Sequence, residues 1–205
     1  MMSTERITSL HTLSTLYHSA GTSLYGGEAI SQLEHGLQAA YAAEQDGAPV
    51  ALIIAALLHD VGHLLTGQQD DDLANGIDDR HEAIGASALH GLFGPAVYQP
   101  IALHVAAKRY LCATDAGYLA QLSPASRCSL ALQGGPMQPE EVAQFRQRAY
   151  ASEALALRRY DELAKVPQLA TPPLSHYLAL AQQLITPTPS PAPNTGAGTH
   201  STVTL

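Results

Sequence analysis

The stretch ALIIAALLHDVGH, residues 51–63, decides the fold class, because a continuous apolar run ends in the adjacent polar pair His59 and Asp60. The run shows no period-two alternation and therefore favours a buried helix over a strand. It is too short to span a bilayer. We interpret residues 49–65 as one helix. Because an unpaired polar side chain is costly in a core, the pair at its end predicts a functional site.

Helical spacing of apolar residues continues through most of the chain and predicts an all-α, single-domain helical bundle. Further helices are expected at 4–19, 28–45, 80–92, 95–111, 115–122, 124–132, 139–147, 149–164 and 174–185. Residues 66–79 are polar and acidic and predict a surface loop. We assign residues 1–185 to one folded domain. The Pro/Ser/Thr-rich residues 186–205 have little to bury and predict a disordered tail.

Charge and cysteine content exclude several function classes. The formal net charge is −8 with ten Lys and Arg residues, which argues against a nucleic-acid partner. The two cysteines, Cys112 and Cys128, form no disulfide framework. The beginning of the sequence shows no secretory signal, and no run is long enough for a membrane span. We therefore expect a cytoplasmic protein without a membrane partner.

Four of the ten histidines lie in predicted helices whose apolar residues should face a core: His35, His59, His81 and His104. A single histidine of this kind is usually a core residue satisfied by one hydrogen bond. Four of them, together with Asp60, predict a metal site between core helices. Imidazole and carboxylate ligands suit iron, manganese or zinc. A carboxylate has two oxygens, so Asp60 could bind one metal ion with each.

These residues resemble the ligand pattern of HD-domain proteins, H…HD…D, at His35, His59-Asp60 and Asp161. His81 and His104 fit the six-ligand version of that pattern. Dinuclear HD phosphohydrolases share this version with mixed-valence di-iron oxygenases. The resemblance implies a helical HD bundle in which His35, His59, Asp60 and Asp161 hold one iron. His81 and His104, with Asp60 as the bridge, would hold the other.

A closer resemblance covers about residues 20 to 180. Five segments carry it: YGGEAISQLEHGLQAAYAA, AALLHDVGH, HVAAKRYL, LSPASRCSLALQGGPM and VPQLATPPLSHY. They are similar to the 2-amino-1-hydroxyethylphosphonate dioxygenases. The resemblance implies cleavage of the C–P bond of (R)-2-amino-1-hydroxyethylphosphonate by O₂, giving glycine and phosphate, at a mixed-valence Fe(II)/Fe(III) pair. A separate phosphonate hydroxylase would supply this organophosphonate substrate.

The same resemblance implies roles for further side chains. The substrate would be contacted by His63, Lys108, Ser126, Arg158 and Glu28. Tyr25 and Glu28 would stand at the mouth of the site, where the tyrosine covers the open iron position and the carboxylate meets the substrate amine. We count Tyr25, Glu28 and His63 as the catalytic residues.

Three other functions are open at this point. The first is the same chemistry on the 2-trimethylammonio analogue; a quaternary amine often prefers an aromatic cage, and the chain has no Trp. The second is a metal-dependent HD phosphohydrolase acting on phosphate esters or nucleotides, which O₂ dependence would separate from an oxygenase. The third is a catalytically silent HD module, which retention of metal would argue against.

Overall fold

A computed structural model describes residues 6–26, 28–67 and 79–185 of the chain. The helices there are α1 Leu10–Ala20, α2 Gln32–Gln45, α3 Val50–Leu58, α4 Val61–Thr66, α5 His81–Leu89, α6 Pro95–Thr114, α7 Ala116–Gln121, α8 Pro124–Leu132, α9 Pro139–Phe145, α10 Ala151–Leu163 and α11 Leu174–Ala181, followed by a 3₁₀ turn Gln182–Leu184. Across these ranges, β pairing is limited to one isolated bridge between Leu24 and Ser31. The predicted all-α class is confirmed.

The first core helix, α2, begins four residues later than predicted because its start is set by a capping box. The Ser31 hydroxyl accepts a hydrogen bond from the backbone N–H of Glu34, and the Glu34 carboxylate accepts one from the backbone N–H of Ser31 at 2.7 Å. Each bond satisfies a backbone donor that a helix start leaves unpaired. Residues 28–31 therefore lie in a turn and can face the site as a loop.

The prediction of a single helix at 49–65 is wrong, because the helix is interrupted at His59 and Asp60. Helix α3 ends at Leu58, and Asp60 has a non-helical backbone (φ −101°, ψ 13°) from which α4 begins. The apolar pattern continues through Val61 and Leu64 and hides this break in the sequence. The turn allows both polar side chains to enter the space between the helices.

Helix α3 lies at the centre of the bundle and packs against α2, α6, α10 and α11. Its residues Ile54, Leu57 and Leu58 are at most 1% exposed. Burial of each such side chain contributes about 1.5–3 kcal/mol. The polar end of α3 is therefore fixed by its surroundings, with α5 and α6 on one side and α2 and α10 on the other.

Two glycines let helices approach closely beside this polar end. A Cβ added to Gly36 in α2 would lie 2.7 Å from the backbone oxygen of Leu57, and one added to Gly62 in α4 would lie 2.1 Å from the backbone oxygen of His81. No side chain fits at either distance. Gly62 thus sets how near His81 comes to Asp60.

We expect Gly62→Ala to displace His81 and to destabilise the protein. The new methyl group must push against backbone, and overpacking of this kind costs about 1–3 kcal/mol. Urea unfolding of the variant checks this cost, and its metal content checks the displacement. A variant with unchanged stability and unchanged metal content would contradict the close approach. Ala substitution at Gly91, where an added Cβ meets nothing within 4 Å, is the matched control.

No helix in the described ranges is long and apolar enough to cross a membrane. The predicted disordered tail, 186–205, lies outside the described residues. So do residues 68–78 of the predicted surface loop.

Candidate metal centre and substrate pocket

Four buried imidazoles meet in two pairs at the centre of the bundle. His35 from α2 and His59 after α3 place their Nε2 atoms 3.1 Å apart. His81 from α5 and His104 from α6 do the same, also at 3.1 Å. All four rings are at most 7% exposed. The structure thus brings together histidines from four separate elements.

Asp60 lies between the two pairs and gives one oxygen to each. Its Oδ2 is 3.5 Å from His35 Nε2 and 3.3 Å from His59 Nε2. Its Oδ1 is 3.4 Å from His81 Nε2 and 3.6 Å from His104 Nε2. The arrangement is suited to two cations bridged by one carboxylate.

Asp161 in α10 completes the half of the site that contains His35 and His59. Its Oδ1 is 3.4 Å from His35 Nε2, and its Oδ2 is 3.7 Å from His59 Nε2. Within the described part of the chain, this buried Oδ1 accepts no hydrogen bond. An unpaired buried carboxylate oxygen is costly unless a cation meets it. Burial raises the pKa of Asp161, but the Arg158 guanidinium beside it holds that pKa well below its usual range.

The hydrogen bonds on the far side of the rings determine which nitrogens face the centre. Three Nδ1 atoms lie 2.8 Å from backbone oxygens: His35 from Ala164, His59 from Ala56 and His104 from Ile101. A carbonyl oxygen only accepts, so in each ring Nδ1 carries a proton and the neutral ring presents a lone pair at Nε2. Lone pairs this close to one another and to carboxylate oxygens repel unless a cation lies among them. The donor set therefore fits bound metal ions, and nitrogen with oxygen ligands suits iron.

Further acidic and imidazole groups flank the second pair. His63 stacks on His81 with ring centroids 4.1 Å apart, and its Nε2 lies 4.0 Å from Asp60 Oδ1. Asp79 contacts both rings from the other side. Asp60, His63 and His81 form a set whose ligand atoms lie close enough to hold a metal, as do Asp79, His81 and Glu82. His63 thus lies next to both His81 and Asp60.

Tyr25 and Glu28 come from the turn before α2. The Tyr25 ring stacks on His35 with centroids 3.7 Å apart. Burial raises the pKa of Tyr25, and the carboxylates of Asp161 and Asp60 raise it further. The carboxylate of the half-buried Glu28 lies near enough to Lys165 to favour the charged form of that ammonium group. Both predicted mouth residues therefore lie on the His35 side of the centre.

Two lysines and two serines form a polar chain next to the carboxylates. Lys108 in α6 donates to Ser129 Oγ at 2.8 Å, and Lys165 donates to Ser126 Oγ at 3.0 Å. Ser129 in turn donates to the Ser126 backbone oxygen at 3.2 Å. Lys108 is 3% exposed, and burial with the nearby Arg158 lowers its pKa to about 7. Cations and hydroxyls that are shielded from solvent to this extent form a suitable site for an anion.

Arg158 lies between the metal ligands and this polar chain, and it is largely engaged by protein. Its guanidinium donates to the carboxylates of Asp161 and Glu162. Its Nε donates to the hydroxyl of Tyr118 at 2.7 Å. The geometry therefore gives Arg158 a positioning contact with a predicted metal ligand, in addition to the substrate contact that the sequence predicts.

Sequence reasoning missed two groups that the structure brings to the site. Lys165 lies beyond the end of α10, four residues after Asp161, and this spacing is the only signal that could have indicated it. Asp79 belongs to an acidic run that predicts a solvated loop. Its one signal is its position two residues before His81, where its Oδ1 accepts the His81 backbone N–H at 3.1 Å.

Comparison with known proteins agrees with this geometry. Residues 15–164 match the family model described as HD domain. The chain is 47% identical to hydroxymethylphosphonate dioxygenase of Gimesia maris, over 84% of this chain and 85% of that protein. It is 39% identical to the glycine-betaine-forming (1-hydroxy-2-(trimethylamino)ethyl)phosphonate dioxygenase of Leisingera caerulea, over 83% and 87%. It is 36% identical to an uncharacterised protein of Acanthamoeba polyphaga mimivirus, over 83% and 79%.

Proposed function

This chain belongs to the HD-domain family, in its branch of phosphonate dioxygenases, and from that premise we propose that it uses O₂ to cleave the C–P bond of a 1-hydroxyalkylphosphonate. The proposed substrate is (R)-2-amino-1-hydroxyethylphosphonate, which with one O₂ gives glycine and phosphate. The observation that carries the proposal is Asp60, which directs one oxygen to each histidine pair. A mixed-valence Fe(II)/Fe(III) pair is the proposed cofactor.

The proposed ligands divide into two sets that share Asp60. One set is His35, His59 and Asp161, and the other is His81 and His104. Bound there, two irons would supply O₂ activation and Lewis-acid binding of the substrate hydroxyl. The protein supplies the fixed ring orientations described above, which keep all four Nε2 atoms directed at the centre.

The phosphonate end of the substrate is assigned to the polar chain of Lys108, Ser126 and Lys165. A phosphonate dianion needs charge-assisted donors, and the buried Lys108 and the half-buried Lys165 supply them in a chain whose net charge is negative. Arg158 lies beside them and has guanidinium donors beyond those engaged by Asp161, Glu162 and Tyr118. We assign these four side chains to phosphonate binding and His63 to the opposite side of the reacting carbon.

The carbon substituent of the substrate is assigned to the mouth formed by Tyr25 and Glu28. A carboxylate facing a primary ammonium is favourable, which supports the amino substrate. Glu28 also acts on the Lys165 charge, and a relative at 47% identity is named for hydroxymethylphosphonate, which has no amine. Hydroxymethylphosphonate is therefore the second candidate substrate. It would give formate and phosphate.

The experiment that tests this proposal compares three substrates on the iron-loaded protein under air. They are (R)-2-amino-1-hydroxyethylphosphonate, its 2-trimethylammonio analogue and hydroxymethylphosphonate, with phosphate release as the readout. We expect the highest kcat/KM for the amino substrate. Glu28→Gln should lower kcat/KM for that substrate selectively, by about tenfold or more, because the ammonium loses its charged partner. Equal losses on the amino substrate and hydroxymethylphosphonate would remove Glu28 from amine recognition.

Lys108 predicts a pH dependence of substrate binding. Its pKa of about 7 means that the side chain loses its positive charge as the pH rises through neutrality. KM for the phosphonate should therefore rise as the pH increases above about 7, by at most about tenfold for each pH unit. Lys108→Arg should flatten this rise, because arginine stays protonated. An identical pH profile of KM in the arginine variant would contradict the assignment.

A further inference from the structure

We propose that Asp79 is a positioning residue that holds two imidazoles of the centre, the ligand His81 and its neighbour His63, in the orientation that the proposed reaction needs. The inference rests on the proposed function for what His63 does, but its contact with His81 concerns metal binding alone. It adds a group for which the sequence gives no role.

Asp79 contacts each of the two rings with one carboxylate oxygen; we call this pair of contacts the clamp, and the single contacts its His81 arm and its His63 arm. Asp79 Oδ1 lies 2.7 Å from His81 Nδ1, and Oδ2 lies 3.0 Å from His63 Nδ1. Oδ1 also accepts the backbone N–H of His81, which starts α5. The two rings are nearly parallel, with an interplanar angle of 21°. One carboxylate therefore fixes the rotation of both rings.

The clamp also fixes the proton positions. A carboxylate only accepts, so each contacting Nδ1 carries the proton and each Nε2 points away from Asp79. His81 Nε2 then lies 3.4 Å from Asp60 Oδ1, and His63 Nε2 lies 4.0 Å from it. His35, His59 and His104 obtain the same result from backbone carbonyls. His81 has Asp79 in that place, which is the outer partner that a metal-bound histidine requires.

Two substitutions separate the arms. Asp79→Ala removes both acceptors. In Asp79→Asn the amide oxygen keeps the Oδ1 position, because the His81 backbone N–H and ring N–H both need an acceptor there. The amide N–H₂ then faces His63 Nδ1 and demands a lone pair, which moves the His63 proton to Nε2. The alanine variant thus affects both rings, and the asparagine variant affects His63.

The test is metal stoichiometry and affinity, measured with Fe(II) under anaerobic conditions and independently of turnover. For Asp79→Ala we expect one of the two binding steps to lose about 10–100-fold in affinity, with the other step unchanged. Asp79→Asn should leave the affinity for both metals within about threefold of the wild-type value. It should lower kcat by about as much as His63→Ala, measured alongside it. Asp46→Asn, which alters a carboxylate bonded to Tyr160 outside the site, should match the wild type. Thermal melts of the metal-free variants test for misfolding.

Unchanged metal affinity in Asp79→Ala, with a normal melt, would overturn the His81 arm. Wild-type kcat in Asp79→Asn would overturn the His63 arm. Failure of the proposed function would be seen in turnover and not in metal binding. A wild-type protein that binds two metals, and loses one selectively in Asp79→Ala, supports the His81 arm even if no phosphonate is turned over.

Discussion

Asp60→Asn is expected to lose both metal ions and to stop phosphate release. The amide keeps the shape of the side chain but has one oxygen and no charge, whereas the wild-type carboxylate directs an oxygen to each histidine pair at 3.3–3.6 Å. Removal of outer partners of metal ligands already costs about 10–100-fold, and a bridging ligand should cost more. We therefore expect turnover to fall by at least about 100-fold.

Metal analysis of the purified variant checks this directly. His59→Ala should differ in kind, because His59 faces only one half of the centre. It is expected to lower the affinity for one metal more than for the other. Full metal content together with normal phosphate release in Asp60→Asn would contradict the bridging role. Asp46→Asn provides the control, since it makes the same chemical change in a residue that contacts Tyr160.

Arg158→Ala is expected to destabilise the metal-free protein by about 3–5 kcal/mol, which is the usual effect of removing one partner of a buried ion pair. Arg158 is 5% exposed and Asp161 is 1% exposed, so the carboxylate would be left buried without its cation. Bound metal also offsets the Asp161 charge. The loss of stability should therefore be smaller when metal is present.

Urea unfolding with and without bound metal measures this difference. Arg159→Ala is the matched control, because the Arg159 side chain is exposed. Its removal should change the free energy of unfolding by no more than about 0.5 kcal/mol. An equal loss for Arg158→Ala in the metal-free and metal-loaded states would show that the cation and the guanidinium do not act on the same carboxylate.

The fold class could be predicted from the sequence because the apolar spacing is helical almost throughout and the core run at 51–58 lies next to the polar pair. The break between α3 and α4 could not, since Val61 and Leu64 continue the apolar pattern across it. Backbone geometry at Asp60 depends on what the side chain meets from α2, α5 and α6. That information is tertiary and has no local sequence signal.

The residues of the site likewise include some that the sequence predicts and some that it does not. His35, His59 and His104 each sit in an apolar helix, so their burial and convergence could be expected, while Asp161 resembles a surface ion-pair residue and was indicated only by family resemblance. Lys165 has only its spacing from Asp161 as a local signal, because its partner Ser126 lies 39 positions away in sequence. Asp79 was hidden by its acidic neighbours. Its importance arises from the approach of two rings that the sequence places 18 residues apart.

The proposed oxygenase activity is tested by measuring phosphate release from (R)-2-amino-1-hydroxyethylphosphonate by the iron-loaded, partly oxidised protein, with and without O₂. We predict that phosphate and glycine appear in equal amounts, only when O₂ is present, with one O₂ consumed for each phosphate. Phosphate release without O₂, or release from phosphate esters with no turnover of any 1-hydroxyphosphonate, would contradict the account and identify a hydrolase.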